Sequence, residues 1–248
     1  MLNYFQQKLI FKSTKLENSH IFDFKQPFEE IHLKATDGAL LHGVHFKIQN
    51  PKGIVLYLHG NARSMDYWGH WGEQLASAYQ RDVVVMDYRG YGKSRGVRDH
   101  KAMLEDTRLF YDYCETLFPE HKIVVFGRSL GGAFASYISR QKDPGLLIIE
   151  SSFTTLAAVV KNMFQYLPVA TLLKYPFQSE ENIKHIRARS YFIHGTEDRI
   201  VPYELGQELY ALSGSNHKEF FTIEGGFHNN LREYNTYFKA LETIFNQV

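Results

Sequence analysis

Ile123-Val124-Val125-Phe126-Gly127-Arg128-Ser129-Leu130-Gly131-Gly132-Ala133-Phe134-Ala135 is the stretch from which the rest of the chain can be read. Its apolar, β-branched start predicts a buried strand, and the small residues after Ser129 predict a helix, which puts a serine at a strand-to-helix turn. Gly127-Arg128-Ser129-Leu130-Gly131 fits the G-x-S-x-G pattern of a strained turn that exposes a nucleophilic hydroxyl. A β-carbon two residues before or after the serine would crowd the neighbouring strand and helix, which is the steric reason for the glycines. Ser129 then precedes a helix whose first residue, Leu130, offers its backbone N–H to an oxyanion.

The surrounding chain has 248 residues, 44% hydrophobic and 22% charged, enough to bury a sizeable core. A formal net charge of +1 gives no reason to expect nucleic acid as a partner. The one cysteine, Cys114, lies in an apolar helical pattern and reads as a core thiol in a reducing compartment. There is no apolar run of signal-peptide or membrane-spanning length, so a cytoplasmic protein is expected. Residues 1–28 read as a leading segment, and 29–248 as a single α/β domain. Leu2, Phe5 and Leu9 would share a helix face beside Lys8, Lys12 and Lys15. A leading segment packed on the domain is favoured there over a membrane-surface anchor through residues 1–15, because the apolar face is short.

From Glu29 the pattern alternates. Strand-like runs at Glu29 to Thr36 and Leu40 to Lys47 flank Asp37-Gly38, a hairpin signal. Ile54 to His59 and Val83 to Met86 read as buried strands, with helices from Asp66 to Tyr79 and from Lys101 to Phe118. Leu146 to Ile149, Tyr191 to His194 and Lys218 to Ile223 are further strands, and Leu231 to Phe245 a closing helix. Strands alternating with helices after an antiparallel lead-in imply a mostly parallel twisted sheet with helices on both faces. Its ligand crevice lies beyond the carboxyl ends of the strands. The apolar, proline-broken segment at about 153–189 interrupts the alternation and reads as short helices. Either it roofs the crevice as a lid for an acyl chain, with Phe153, Met163, Phe164 and Phe227 as substrate contacts, or it buries itself against the domain.

A serine needs a base and a group to orient that base. In sheets with this turn the chain order is serine, acid, histidine. Asp198 follows a strand end in His194-Gly195-Thr196-Glu197-Asp198 and is the first choice of acid, with Glu197 its neighbour and Glu150 the runner-up. His228, in Gly225-Gly226-Phe227-His228-Asn229-Asn230 between the last strand and last helix, is the base. By position, the second oxyanion donor is the backbone N–H of Asn61, after Gly60. Gly90-Tyr91-Gly92-Lys93-Ser94 ends like a phosphate-binding loop but lacks its first glycine, and no zinc-protease helix spacing occurs, so neither cofactor nor metal is expected.

Together His59-Gly60-Asn61-Ala62, Asp87-Tyr88-Arg89-Gly90-Tyr91-Gly92-Lys93-Ser94, the Ser129 turn, His194-Gly195-Thr196-Glu197-Asp198 and Gly226-Phe227-His228 make the chain resemble the α/β-hydrolase superfamily. The His-Gly-Asn-Ala variant is similar to the branch that holds depalmitoylating hydrolases and bacterial relatives, with monoacylglycerol lipases and prolyl-aminopeptidase-like enzymes as wider kin. The resemblance implies a cofactor-free serine hydrolase with Ser129, Asp198 and His228 as its triad. The expected substrate is a small-molecule acyl ester or thioester. An amide or peptide hydrolase on the same triad is the alternative within the enzyme class, and a non-catalytic ligand-binding protein on this fold is the alternative outside it.

Overall fold

A computed structural model describes residues 6–7, 10–163 and 173–247. The chain divides into two compact units, Met1–Val124 and Val125–Val248.

In the first unit the elements run β1 (Lys12–Ser13), β2 (Phe28–Lys34), β3 (Leu40–Phe46), β4 (Ile54–Leu58), β5 (Ala62–Arg63), α1 (Met65–Tyr79), β6 (Asp82–Asp87) and α2 (His100–Glu115). Strands β2 and β3 form an antiparallel hairpin from Phe28↔Phe46 to Lys34↔Leu40, closed where Gly38 takes a positive φ of 86° that a side chain would resist. β3 runs antiparallel to β6, and β6 parallel to β4. Every residue of β4 and β6 is buried, which explains why both read as continuous rather than alternating apolar runs. Helix α1 lies close on this sheet because Gly72 faces it: a β-carbon there would come within 2.6 Å of Val85 Cγ2. Cys114, on the inner face of α2, is fully buried, and burial pushes its thiol far above the ordinary range.

Two local features lie beyond the periodicity. Lys12–Ser13 pairs in parallel with Ala62–Arg63, which ties this part of the leading segment to the loop after β4, with Ile10, Phe11 and Phe22 buried; the helix face expected at Leu2, Phe5 and Leu9 lies outside the described residues. Helix α2 ends at Glu115 rather than Phe118, since the Leu117 and Phe118 N–H groups both turn back to Cys114 O ahead of Pro119.

The loop after β6 is braced by Arg89, 2% exposed. Its Nε donates to Asp106 Oδ2 at 2.6 Å and its NH2 to Asp106 Oδ1 at 2.8 Å, while Asp37 holds the outer side. Burial pushes the Asp106 carboxyl up, and the Arg89 hydrogen bonds only partly offset it. Arg89→Met leaves this carboxylate without its cation and is expected to cost about 3–5 kcal/mol of stability, read by urea denaturation at neutral pH.

The second unit begins within β7 (Ile123–Arg128) and continues through α3 (Leu130–Gln141), β8 (Leu146–Glu150), α4 (Leu156–Met163), α5 (Ser179–Ile183), β9 (Arg189–Gly195), α6 (Tyr203–Leu212), β10 (Lys218–Ile223) and α7 (Asn235–Phe245). Its strands lie in the order β10-β9-β8-β7. Leu146↔Arg189 to Glu150↔Ile193 sets the parallel register of β8 on β9, and Ser190↔Lys218 to Gly195↔Ile223 that of β9 on β10. The closing helix expected from Leu231 is a 3-10 turn, Leu231–Glu233, and then α7. The break falls at Tyr234, which is extended (φ −103°, ψ 128°) and donates its hydroxyl to Gly225 O at 2.7 Å. Helix α6, after Pro202, adds an element to those expected from the sequence.

Candidate active site

Ser129 sits between β7 and α3 at φ 53°, ψ −116°, a conformation that side chains rarely adopt. Its N–H donates to Glu150 O at 2.8 Å, and its carbonyl accepts from Ser152 Oγ at 2.8 Å. The turn needs glycine before it, since a β-carbon on Gly127 would lie 2.4 Å from Gly131 O and 2.5 Å from Ala135 Cβ. Leu130 opens α3, and the first N–H groups of a helix have no acceptor within it.

The structure brings Ser129, His228 and Asp198 together. His228 Nε2 lies 3.1 Å from Ser129 Oγ, and His228 Nδ1 lies 2.7 Å from Asp198 Oδ2. A carboxylate can only accept, so Nδ1 carries the hydrogen and Nε2 is left to accept from the serine hydroxyl. All three residues are 6–7% exposed.

Each is held by short-range contacts at a strand end. Asp198 follows β9, and its Oδ1 accepts from the N–H groups of Ile200 and Val201, both at 2.9 Å. His228 follows β10 across Gly225 and Gly226. There Gly226 packs so close to Gly195 that a β-carbon on Gly195 would lie 2.2 Å from Gly226 O. The loop is further fixed where Phe227 N–H donates to Asn230 Oδ1 at 2.7 Å and Glu197 N–H to Gly226 O at 2.9 Å.

The electrostatics separate the two groups. Burial pushes Asp198 up, but hydrogen bonds from His194 and His228, the charge of His228 and the Val201 N–H outweigh it and hold the carboxyl far below the usual range. His194 Nε2 lies 3.3 Å from the same Oδ2, and 2.9 Å from Val201 O. For His228, burial lowers the pKa; Asp198 opposes this, the Arg128 charge adds to it, and the net direction is down. At neutral pH the pair is therefore an imidazole beside a carboxylate.

The other residues singled out on sequence are placed as follows. Both carboxylate oxygens of Glu150 are engaged, by Arg128 Nε at 2.9 Å and by Tyr237 OH at 2.7 Å. Glu197 is exposed. Asn61 belongs to the first unit, where Tyr91 OH donates to its carbonyl at 2.6 Å. Phe153 is 2% exposed, whereas Phe227 is 43% exposed with the Arg199 guanidinium 5.9 Å from its ring centre. Phe164 and the Met163 side chain lie outside the described residues. Elsewhere in the interrupting segment, Leu156, Val159, Tyr175 and Phe177 are buried, and Phe177 packs edge-on to Phe134 of α3 at 5.3 Å. An open groove of about 550 Å³ lies between α4 and the start of α6. Its described lining, which includes Lys161, Pro202, Glu204 and Leu205, holds none of the three clustered residues.

The sequence leaves Arg128 open between a salt bridge beneath the turn and a contact with substrate; its charge stands out in an otherwise apolar strand, and the structure buries it beside this cluster in an ion pair with Glu150. Among the described residues one group could offer metal ligands: Glu30, His32 and His42, with ligand atoms within 4.8 Å of one another. Lys93 Nζ already stands 2.7 Å from Glu30 Oε2 and supplies that carboxylate with a cation.

A family model described as Hydrolase_4, serine aminopeptidase S33, matches residues 49–171 and 158–235. The chain is similar to the lysophosphatidylserine lipase ABHD12 of Macaca fascicularis, 30% identical over 186 residues, covering 67% of this chain and 46% of that protein. It is also similar to the uncharacterized membrane protein YNL320W of Saccharomyces cerevisiae, 29% identical over 211 residues, covering 82% and 74%. The chain spans about half the length of the first of these curated relatives. Among solved structures, the esterase Pf2001 of Pyrococcus furiosus superposes with a TM-score of 0.72 at 17% identity, covering 95% of this chain and 97% of that one. Among the described residues no helix is long and apolar enough to cross a membrane.

Proposed function

Because this chain belongs to the serine aminopeptidase S33 (Hydrolase_4) family and has the α/β-hydrolase fold, we propose that it is a serine hydrolase. In this reading it cleaves carboxylic ester or thioester bonds of acyl substrates through an acyl-enzyme on Ser129. The observation that carries the proposal is the continuous path from Ser129 Oγ through His228 to Asp198, at 3.1 Å and 2.7 Å.

Ser129 Oγ attacks the carbonyl carbon while His228 Nε2 takes the hydroxyl proton. Asp198 stays ionised, holds the ring in the required tautomer and stabilises the imidazolium. Charge developing on the carbonyl oxygen is met by the Leu130 N–H, and we assign the second donor to the Asn61 N–H on the sequence argument. The carbon–oxygen or carbon–sulfur bond then breaks, and the leaving alcohol or thiol departs with the proton from His228. Water, deprotonated by the same imidazole, repeats the attack on the acyl-enzyme and frees Ser129.

The description of the family names an aminopeptidase, which keeps amide hydrolysis as a second reading. An aminopeptidase needs carboxylates to bind a free amine. The acids of the interrupting segment, Glu180 and Glu181, lie on α5 at its far end, and Glu181 is exposed. The names of the curated lipase and of the structurally similar esterase favour the ester reading.

A fluorophosphonate probe on the expressed chain tests the proposal: labelling of Ser129 is expected, and a folded but unlabelled protein overturns it in favour of a non-catalytic binding protein. p-Nitrophenyl esters from acetyl to octanoyl then test the acyl-chain inference, with a preference for the longer chains expected. Since His228 must be neutral and its pKa is lowered, kcat/KM should hold as pH falls through the usual imidazole value of about 6.5 and decline only below it.

A further inference from the structure

The proposed reaction leaves the second residue of Gly127-Arg128-Ser129-Leu130-Gly131 without a task. Arg128 is nevertheless 6% exposed, and a guanidinium is costly to bury unless its donors are met by charged or polar partners. Its Nε donates to Glu150 Oε1 at 2.9 Å. Its NH2 donates to the main-chain carbonyl of His228 at 2.5 Å and to Asn229 Oδ1 at 2.9 Å. Glu150, 1% exposed, completes the set: Oε2 accepts from Tyr237 OH of α7, and its main-chain carbonyl accepts the Ser129 N–H.

These bonds tie together the strand that carries Ser129, the strand end beside it, the last helix and the loop that carries His228. That loop needs such a tie. It leaves β10 through two consecutive glycines, the first at φ 71°, and glycine restricts the backbone least of all residues. Among the described residues, Arg128 is the side chain that grips the backbone of the histidine itself, while other bonds of the loop fall on Gly225, Gly226, Phe227 and Asn229.

We propose that Arg128 and Glu150 are positioning residues: a buried ion pair that clamps the main chain of His228 and so sets the distance and the charge environment of its ring relative to Ser129. The inference rests on the hydrolase reading above. The clamp also acts at a distance, because the Arg128 charge disfavours the imidazolium and Glu150 neutralises part of that charge. The other charged or titratable groups around His228 are Asp198 at its Nδ1, His194 behind the same carboxylate oxygen, Ser129 at its Nε2, Tyr237 behind Glu150, and Arg199 beside Phe227.

The test is the pH profile of kcat/KM on a p-nitrophenyl ester for wild type, Arg128→Gln, Arg128→Lys and Glu150→Gln, each with its melting temperature. Arg128→Gln removes a positive charge and should move the acid limb to higher pH, by on the order of one unit. Glu150→Gln leaves Arg128 unneutralised and should move it to lower pH. Arg128→Lys keeps the charge but cannot reach Glu150, His228 and Asn229 together. It should leave the limb in place while kcat falls about 100-fold, as a small misplacement of a catalytic group does. A purely structural pair would lower melting temperature and activity in all three without opposite displacements of the limb. Displacements in the same direction, or none, overturn the clamp. If Arg128→Gln does not fold, the unmoved limb of Arg128→Lys and the lowered limb of Glu150→Gln decide. A wild type that neither turns over ester nor takes up the fluorophosphonate overturns the hydrolase reading instead, so the two failures are distinct.

Discussion

Ser129→Ala is expected to remove fluorophosphonate labelling and to reduce ester turnover by about 10⁶-fold, the scale found when a serine nucleophile is lost from a triad. The hydroxyl is the atom that forms and breaks the covalent bond, and His228 with nothing to deprotonate contributes little by itself. The fold should survive. Among the described residues Ser129 Oγ bonds to His228 Nε2 alone, and the main-chain bonds to Glu150 and Ser152 that shape the turn do not involve the side chain. Alanine at φ 53° keeps the same backbone strain, so melting temperature should change little. A folded Ser129→Ala protein with unchanged turnover would remove the mechanism.

Asp198→Asn carries the second large effect, a loss of about 10⁴ in turnover with the geometry preserved. Two backbone N–H groups, those of Ile200 and Val201, point at Oδ1, so an asparagine there turns its carbonyl toward them. Its amide NH2 then faces His228 Nδ1 and donates. The imidazole hydrogen is forced onto Nε2, where it points at Ser129 and cannot accept the hydroxyl proton. The matching change at the runner-up acid, Glu150→Gln, should lose far less, because the glutamine oxygen can still accept from Arg128 while its NH2 donates to the Tyr237 hydroxyl oxygen, and no proton path runs through it. Comparable losses from the two variants would reassign the acid.

The strands and the order of the elements were legible because buried β-branched runs and glycine-marked turns are local signals. The Gly127 and Asp37-Gly38 turns each need a glycine for a reason that two or three neighbouring residues supply. Ser129, Asp198 and His228 could be named together because each follows a strand end, and strand ends are visible in one dimension. What could not be read depends on side-chain bonds between residues far apart in sequence. Arg128 meets Glu150 across 22 positions and His228 across 100, and although a charge in an apolar strand marks the residue, nothing in the local pattern names those partners. The break at Tyr234 has the same origin: its apolar spacing suits a continuous helix, yet its hydroxyl is committed to Gly225 in the histidine loop. The Lys12–Ser13 pairing escaped notice because two-residue strands carry no periodicity.

Cys114 gives the first unit an internal clock. It is the one cysteine of the chain, fully buried on the inner face of α2, and its thiol is pushed far from the ionised form that reacts with alkylating and disulfide reagents. A reagent can meet it only in those moments when α2 lifts from the strands beneath it. The rate of incorporation therefore reports the fraction of time for which this one helix leaves the interior of the first unit exposed, without any probe being engineered in.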